Sequence, residues 1–263
     1  MKNIKILLSI LLLIIAPQFF MGCSAVKAVS MMKGSKALQE PNISFKKDVP
    51  VSMKGHMLIV DVYINDIAKP FKFVVDTGAI TVLTERTAQS SRFTDQTKIK
   101  FKGLAGNVKD AKMISLPKLG IKGLEVSNLA AVVMNLDKFD SQIDGILGSN
   151  YFQYFNITID YRKPSLLISN TAPAALPEDT ATIPFEKDMK FGFAPIAECK
   201  VDGVSFPCMI DTGSPDTFSI PSSKCSMLPG FKKNQFIQSN GSLLHGALGR
   251  SNDNQFVTTH PYL

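Results

Sequence analysis

Phe73-Val-Val-Asp76-Thr77-Gly78-Ala79 decides the fold, because the chain says it again as Cys208-Met-Ile-Asp211-Thr212-Gly213-Ser214. Each copy is an apolar run that ends in a carboxylate, a hydroxyl and a glycine. An aspartate at the end of a buried strand is costly to ionise unless hydrogen-bond donors surround it. A following glycine lets backbone amides come close enough to supply them. One Asp-Thr-Gly alone reads as an ordinary turn, since all three residues favour turns. Two in one chain predict a pair of related halves that bring two carboxylates face to face.

The lead-in repeats as well. Ile59-Val-Asp-Val-Tyr-Ile-Asn65-Asp66, then Ile67 to Val75, reads as two strands around an Asn-Asp turn. Ile196-Ala-Glu-Cys-Lys-Val-Asp202-Gly203, then Val204 to Ile210, reads the same way around Asp-Gly, a strong hairpin signal. A repeated motif with a repeated hairpin is an internal duplication, which constrains the fold before any single strand is assigned. Downstream of the first copy come Ile143-Asp144-Gly145-Ile146-Leu147-Gly148, a short helix over Ser149 to Phe155, and a strand pair at Asn156 to Tyr161 and Leu166 to Ile168.

In that order the residues resemble the aspartic peptidases, in particular the retropepsin-like kind found in bacterial envelope proteins. The resemblance covers Val51 to Ile168 and, more loosely, Ile183 to Phe218. It implies an all-β fold of two related β-barrel lobes, with Ile146-Leu147-Gly148 passing behind the first Asp-Thr-Gly loop as a brace. It implies Asp76 and Asp211 as the catalytic pair, sharing one proton because like charges so close cannot both ionise cheaply. Thr77 and Thr212 would tie the lobes together through hydroxyl-to-backbone hydrogen bonds. Gly78 and Gly213 would donate backbone N–H groups to the carboxylates, and Ser214 would add a hydroxyl donor that Ala79 cannot. The expected activity is endopeptidase hydrolysis of a peptide or protein substrate by an activated water, with no cofactor and no metal. A homodimer built on two copies of Asp76, and a non-catalytic lipoprotein that uses the same fold to bind peptides, remain the alternatives.

Lobe two departs from the pattern. The step from Asp76 to Gly148, repeated from Asp211, runs past Leu263, and no second apolar-apolar-Gly with a following helix appears after Phe218. Ala247-Leu248-Gly249 comes too early and fits better as the counterpart of the turn-rich Gly103 to Asn107 tip, itself the candidate for a flap over bound substrate. The second lobe is therefore expected to be incomplete.

At the start of the chain, Lys2 and Lys5 precede an apolar run from Ile6 to Ala16 and then Phe20-Met-Gly22-Cys23. That run is short for a bilayer span and reads as a secretory signal peptide. Gly22-Cys23 resembles a lipoprotein cleavage box, which makes Cys23 the acylated residue anchored in the lipid bilayer and the outer membrane, facing the periplasm, the expected location. The expected organisation is a signal peptide over 1–23, a flexible tether over 24–47, a first lobe over 48–169, a linker over 170–182 and the second lobe over 183–263.

The 263-residue chain carries a net charge of +7, two units of which leave with the signal peptide. Its lysines at 98, 100, 102, 109 and 112 are spread out without interleaved aromatics, so they read as a solvated face and exclude a nucleic-acid site. Cys199, Cys208 and Cys225 follow no zinc spacing, and His56, His245 and His260 are scattered. In a two-residue hairpin around Asp202-Gly203, Cys199 faces Phe206 and Cys208 faces Ala197, so a Cys199 to Cys208 disulfide needs another register. Pairing of either with Cys225 stays open.

Overall fold

A computed structural model of the chain describes residues 24–40, 42–102, 108–136, 142–173, 176, 178–189, 192–214, 220 and 222–229, with four short strands beyond them. The architecture is all-β with few helices. After α1 (residues 24–33) come β1 (Lys36–Ala37), β2 (Lys46–Val49), β3 (Val51–Lys54), β4 (Met57–Ile64), β5 (Phe71–Val75) and β6 (Val82–Leu83). Then follow α2 (Glu85–Ser90), β7 (Asp95–Lys102), β8 (Val108–Ile121), β9 (Leu124–Val133), β10 (Gly145–Leu147), α3 (Ser149–Phe152), β11 (Asn156–Asp160) and β12 (Ser165–Ser169).

Strand β4 shows why this sequence rolls up. Leu58, Val60, Val62 and Ile64 alternate with polar or half-buried residues and all enter one core, while Ile59 lies on the other face. Neighbours run β9-β6-β10-β5-β4-β8, and β8 pairs back with β9, so six strands close into a ring. The ring's core holds Phe73, Val75, Leu83, Leu147 and Tyr151, none of them exposed. Tyr151 sits there because its hydroxyl donates to Leu124 O at 2.7 Å. Strands β11, β12 and β2 form a second, three-stranded sheet beside it.

The outer face of the ring carries a row fixed by register. Ile59 lies opposite Val74, Val74 opposite Ile146, Ile146 opposite Val82, Val82 opposite Val132, and Val132 opposite Met113. This apolar row crosses the sheet two residues before Asp76. It continues into the β7–β8 hairpin through Ile99, Phe101 and Ala111, which pack on the same cluster.

Two expectations are corrected here. The segment 24–47 is not a flexible tether: α1 seats Met31 on the outer-face cluster, β1 pairs with β9, and Tyr154 Oη donates to Ser35 O at 2.8 Å. Ala28, Met31 and Met32 stand at helical spacing on one side, so burying that stripe orders the segment. Strand pairing in the first hairpin starts at Phe71 and not at Ile67, because Pro70 has no N–H to offer a ladder. The signal peptide, Cys23, the Gly103 to Asn107 tip and Ala247-Leu248 lie outside the described residues.

In the second half, β13 (Phe185–Asp188), β14 (Ala194–Val201) and β15 (Val204–Met209) make an antiparallel sheet. The β14–β15 turn has Asp202 at φ 49° and Gly203 at φ 79°, the left-handed pair that a two-residue hairpin demands. Its register sets Cys199 opposite Phe206 and Cys208 opposite Ala197, and Cys199, Cys208 and Cys225 form no disulfide among the described residues. Cys225 ends the short helix α4 (Ser222–Cys225) and is buried with Phe206, Ile220 and Leu228. Four short strands follow: β16 (Ile237–Ser239), β17 (His245–Gly246), β18 (Gly249–Arg250) and β19 (Phe256–Thr258).

Candidate active site

The two Asp-Thr-Gly loops meet, and the threonines hold them together. Thr77 Oγ1 donates to Ile210 O at 2.6 Å and accepts from Thr212 N at 3.1 Å. Thr212 Oγ1 answers by donating to Val75 O at 3.2 Å and accepting from Thr77 N at 3.1 Å. Each hydroxyl thus spends its donor and an acceptor on the opposite loop, and only a hydroxyl can do both. Valine would keep the shape and lose all of it.

The carboxylates are oriented from within their own loops. Gly78 N donates to Asp76 Oδ1 at 2.8 Å, and Gly213 N donates to Asp211 Oδ1 at 2.8 Å. Each glycine also presses against the opposite acid. A methyl group on Gly78 would lie 2.4 Å from Asp211 Cγ, and one on Gly213 would lie 2.4 Å from Asp76 Oδ2. Glycine is therefore required here for close approach, and the two acids stand side by side. Ser214 follows Gly213, half-buried, at the end of the described loop.

Burial raises the Asp76 pKa to about 8, helped by the Asp211 charge and by a hydrogen bond between the two side chains. The Gly78 and Ala79 N–H groups oppose that rise without cancelling it. At neutral pH the pair consequently holds a proton.

Behind Asp76 the support is dense. Strand β10 runs parallel to β5 with Leu147 opposite Val75, and Asp76 N donates to Leu147 O at 3.1 Å. Gly148 passes so close to Ala79 and Ile80 that a methyl there would lie 2.4 Å from Ala79 O. Ser149 Oγ donates to Thr77 O, and Asn150 Oδ1 accepts from both Thr81 N at 2.8 Å and Thr81 Oγ1 at 2.7 Å. Two more contacts carry no signal in the sequence. His56, in the β3–β4 turn, places Nε2 3.2 Å from Gly213 O, and because a carbonyl only accepts, the ring nitrogen is the donor. Tyr161 faces Asp211 closely enough for burial and that charge to raise its pKa. Ser149 and Asn150 were read only as the start of a helix. Among the described residues no cluster of His, Cys, Asp and Glu could hold a metal ion.

Residues 60–151 match the aspartyl protease family. The matched span holds the first hairpin, Asp76-Thr77-Gly78 and the brace through Gly148, while Asp211 lies outside it. A search of curated proteins found no match. The family match supports a general aspartic protease function, a hydrolase of peptide bonds.

Proposed function

We propose that this protein is an aspartic endopeptidase in which Asp76 and Asp211 share one proton and activate a water between them. The observation that carries the reading is the reciprocal grip of Thr77 and Thr212, which sets each glycine against the opposite carboxylate. Both acids come from one chain, so the reading needs no second copy.

The ionised member of the pair takes a proton from the water as its oxygen attacks the scissile carbonyl carbon. The protonated member donates to the carbonyl oxygen, giving a neutral tetrahedral diol. Its collapse breaks the C–N bond and passes a proton to the departing nitrogen, which returns the pair to its starting state. The proton belongs to the pair and not to one residue. The substrate is an extended peptide or protein segment lying between the loops and the β7–β8 hairpin, held by main-chain hydrogen bonds.

The same proposal places the protein in the bacterial envelope, acylated at Cys23. Its support is the sequence of residues 1–23 alone: a basic start, a short apolar run and Gly22-Cys23.

Cleavage of a mixed peptide library tests the reading. Asp76→Asn and Asp211→Asn should each lower kcat/KM by on the order of 10³-fold or more while leaving the fold intact. The upper limb of the pH profile should fall as pH rises through about 8, where the pair loses its shared proton. Retained cleavage in either variant overturns the proposal.

A further inference from the structure

Gly213 has no side chain, so its backbone atoms are its only handles, and two of them already serve the acid pair. Its N–H holds Asp211 Oδ1 at 2.8 Å, and its Cα stands so close to the other acid that an added methyl would lie 2.4 Å from Asp76 Oδ2. The third handle is the carbonyl, which accepts from His56 Nε2 at 3.2 Å. In the first loop the start of α3 supplies the equivalent hold. Ser149 donates from Oγ to Thr77 O and from its backbone N to Ala79 O at 2.8 Å, which fixes the carbonyls on both sides of Gly78. The second loop receives its hold at Gly213 from the opposite half of the molecule.

We propose that His56 is a positioning residue for the acid pair, one that fixes Gly213 and through it the spacing of Asp76 and Asp211. The inference rests on reading those two residues as the peptidase pair. His56 suits the role because of what carries it. Gly55 and His56 form the two-residue turn between β3 and β4, closed by Lys54 opposite Met57. Strand β4 then pairs with β5, Ile59 opposite Val74, and β5 runs directly into Asp76. Two paired strands thus link the imidazole to one acid, while its hydrogen bond crosses to the loop of the other. A group built on paired strands is held more precisely than one on a free loop. The threonines bind the loops at the residue next to each acid, and His56 adds a hold one residue further on, at the glycine that meets both carboxylates. The ring is exposed, so water competes for the same carbonyl and the bond is of ordinary strength.

Steady-state cleavage by the full chain, on the peptide it cuts fastest in the mixed library, reads the effect. His56→Leu keeps bulk in the turn and removes the donor. It should lower kcat about three- to tenfold and leave KM within about twofold, because placement of the reacting groups is lost and no contact to substrate is. His56→Gln sets an amide N–H near the place of Nε2 and should restore at least about half of the parent kcat. Both changes lie in an exposed turn, so melting temperatures should stay within about 2 °C of the parent's. A parent-like kcat in His56→Leu, an equal loss in the Leu and Gln variants, or a loss that falls on KM overturns the positioning role, while cleavage that Asp76→Asn and Asp211→Asn abolish leaves the peptidase reading standing. Cleavage that survives either aspartate substitution, or that the parent itself lacks, overturns the peptidase reading and the role of His56 with it.

Discussion

The two Asp-Thr-Gly halves reach the same loop geometry on unequal foundations. Val75, just before Asp76, is fully buried, whereas Ile210, in the same place before Asp211, is 42% exposed. Strand β5 lies between β4 and β10; among the described residues β15 pairs with β14 alone. Phe73 fills the closed core at a site where the second copy has the smaller, half-exposed Cys208. Yet Gly78 and Gly213 hold their carboxylates at the same 2.8 Å. The difference teaches that the loop's shape is written locally, in Asp, Thr and Gly, while its stability is supplied from behind. In the first half that supply is a sheet and a brace. In the second it is the first half, through the threonines and the His56 contact.

Truncation of the strands should expose this asymmetry most sharply. Leu147→Ala, in the closed core, should cost about 2–5 kcal/mol, whereas Ile210→Ala, already in contact with water, should cost less than about 1 kcal/mol. Urea denaturation of both variants checks it, and equal losses would make the two foundations alike.

The raised pKa of Asp76 gives the next effect, with a defined sign. Because the folded state binds its proton more tightly than the unfolded chain does, the associated stability is present below about pH 4 and is lost as pH rises through about 8. Asp76→Asn, which stays neutral, should flatten that slope. It should also raise stability at pH 8 by on the order of a few kcal/mol, even as it removes activity. Melting temperatures of parent and variant across pH 4 to 9 measure it, and parallel curves would remove the buried proton from the account.

The smallest change should come from the grip. Thr77→Val or Thr212→Val leaves backbone groups of the partner loop unsatisfied, at about 1–3 kcal/mol. Hydrogen exchange should then quicken across 194–214, while 71–75, braced by β10, stays protected. Equal quickening in both stretches would erase the distinction between the halves.

Much of this was legible in the residues because it is local. Asp202-Gly203 specifies its own turn, and the turn sets the register that puts Cys199 opposite Phe206 and Cys208 opposite Ala197. The all-β class follows from short Val, Ile and Phe runs between turn residues. What escaped the reading depends on partners far along the chain. Asn150 holds Thr81 and also donates to Ala130 O at 2.7 Å, and His56 reaches Gly213; no spacing rule joins such pairs. Helix α1 did leave a trace, since Ala28, Met31 and Met32 carry helical periodicity. The Lys-rich, polar look of its neighbours hid a stripe whose burial needs the finished sheet.

The ring of strands leaves β7 at one end of the path, with β8 as its single partner among the described residues. Its exposed positions include Lys98 and Lys100, spaced by two along the strand. An open row of backbone donors and acceptors invites another chain to add on, and repeated cations make that addition costly. Part of the protein's basic charge thus raises the cost of a neighbouring chain adding to this open edge.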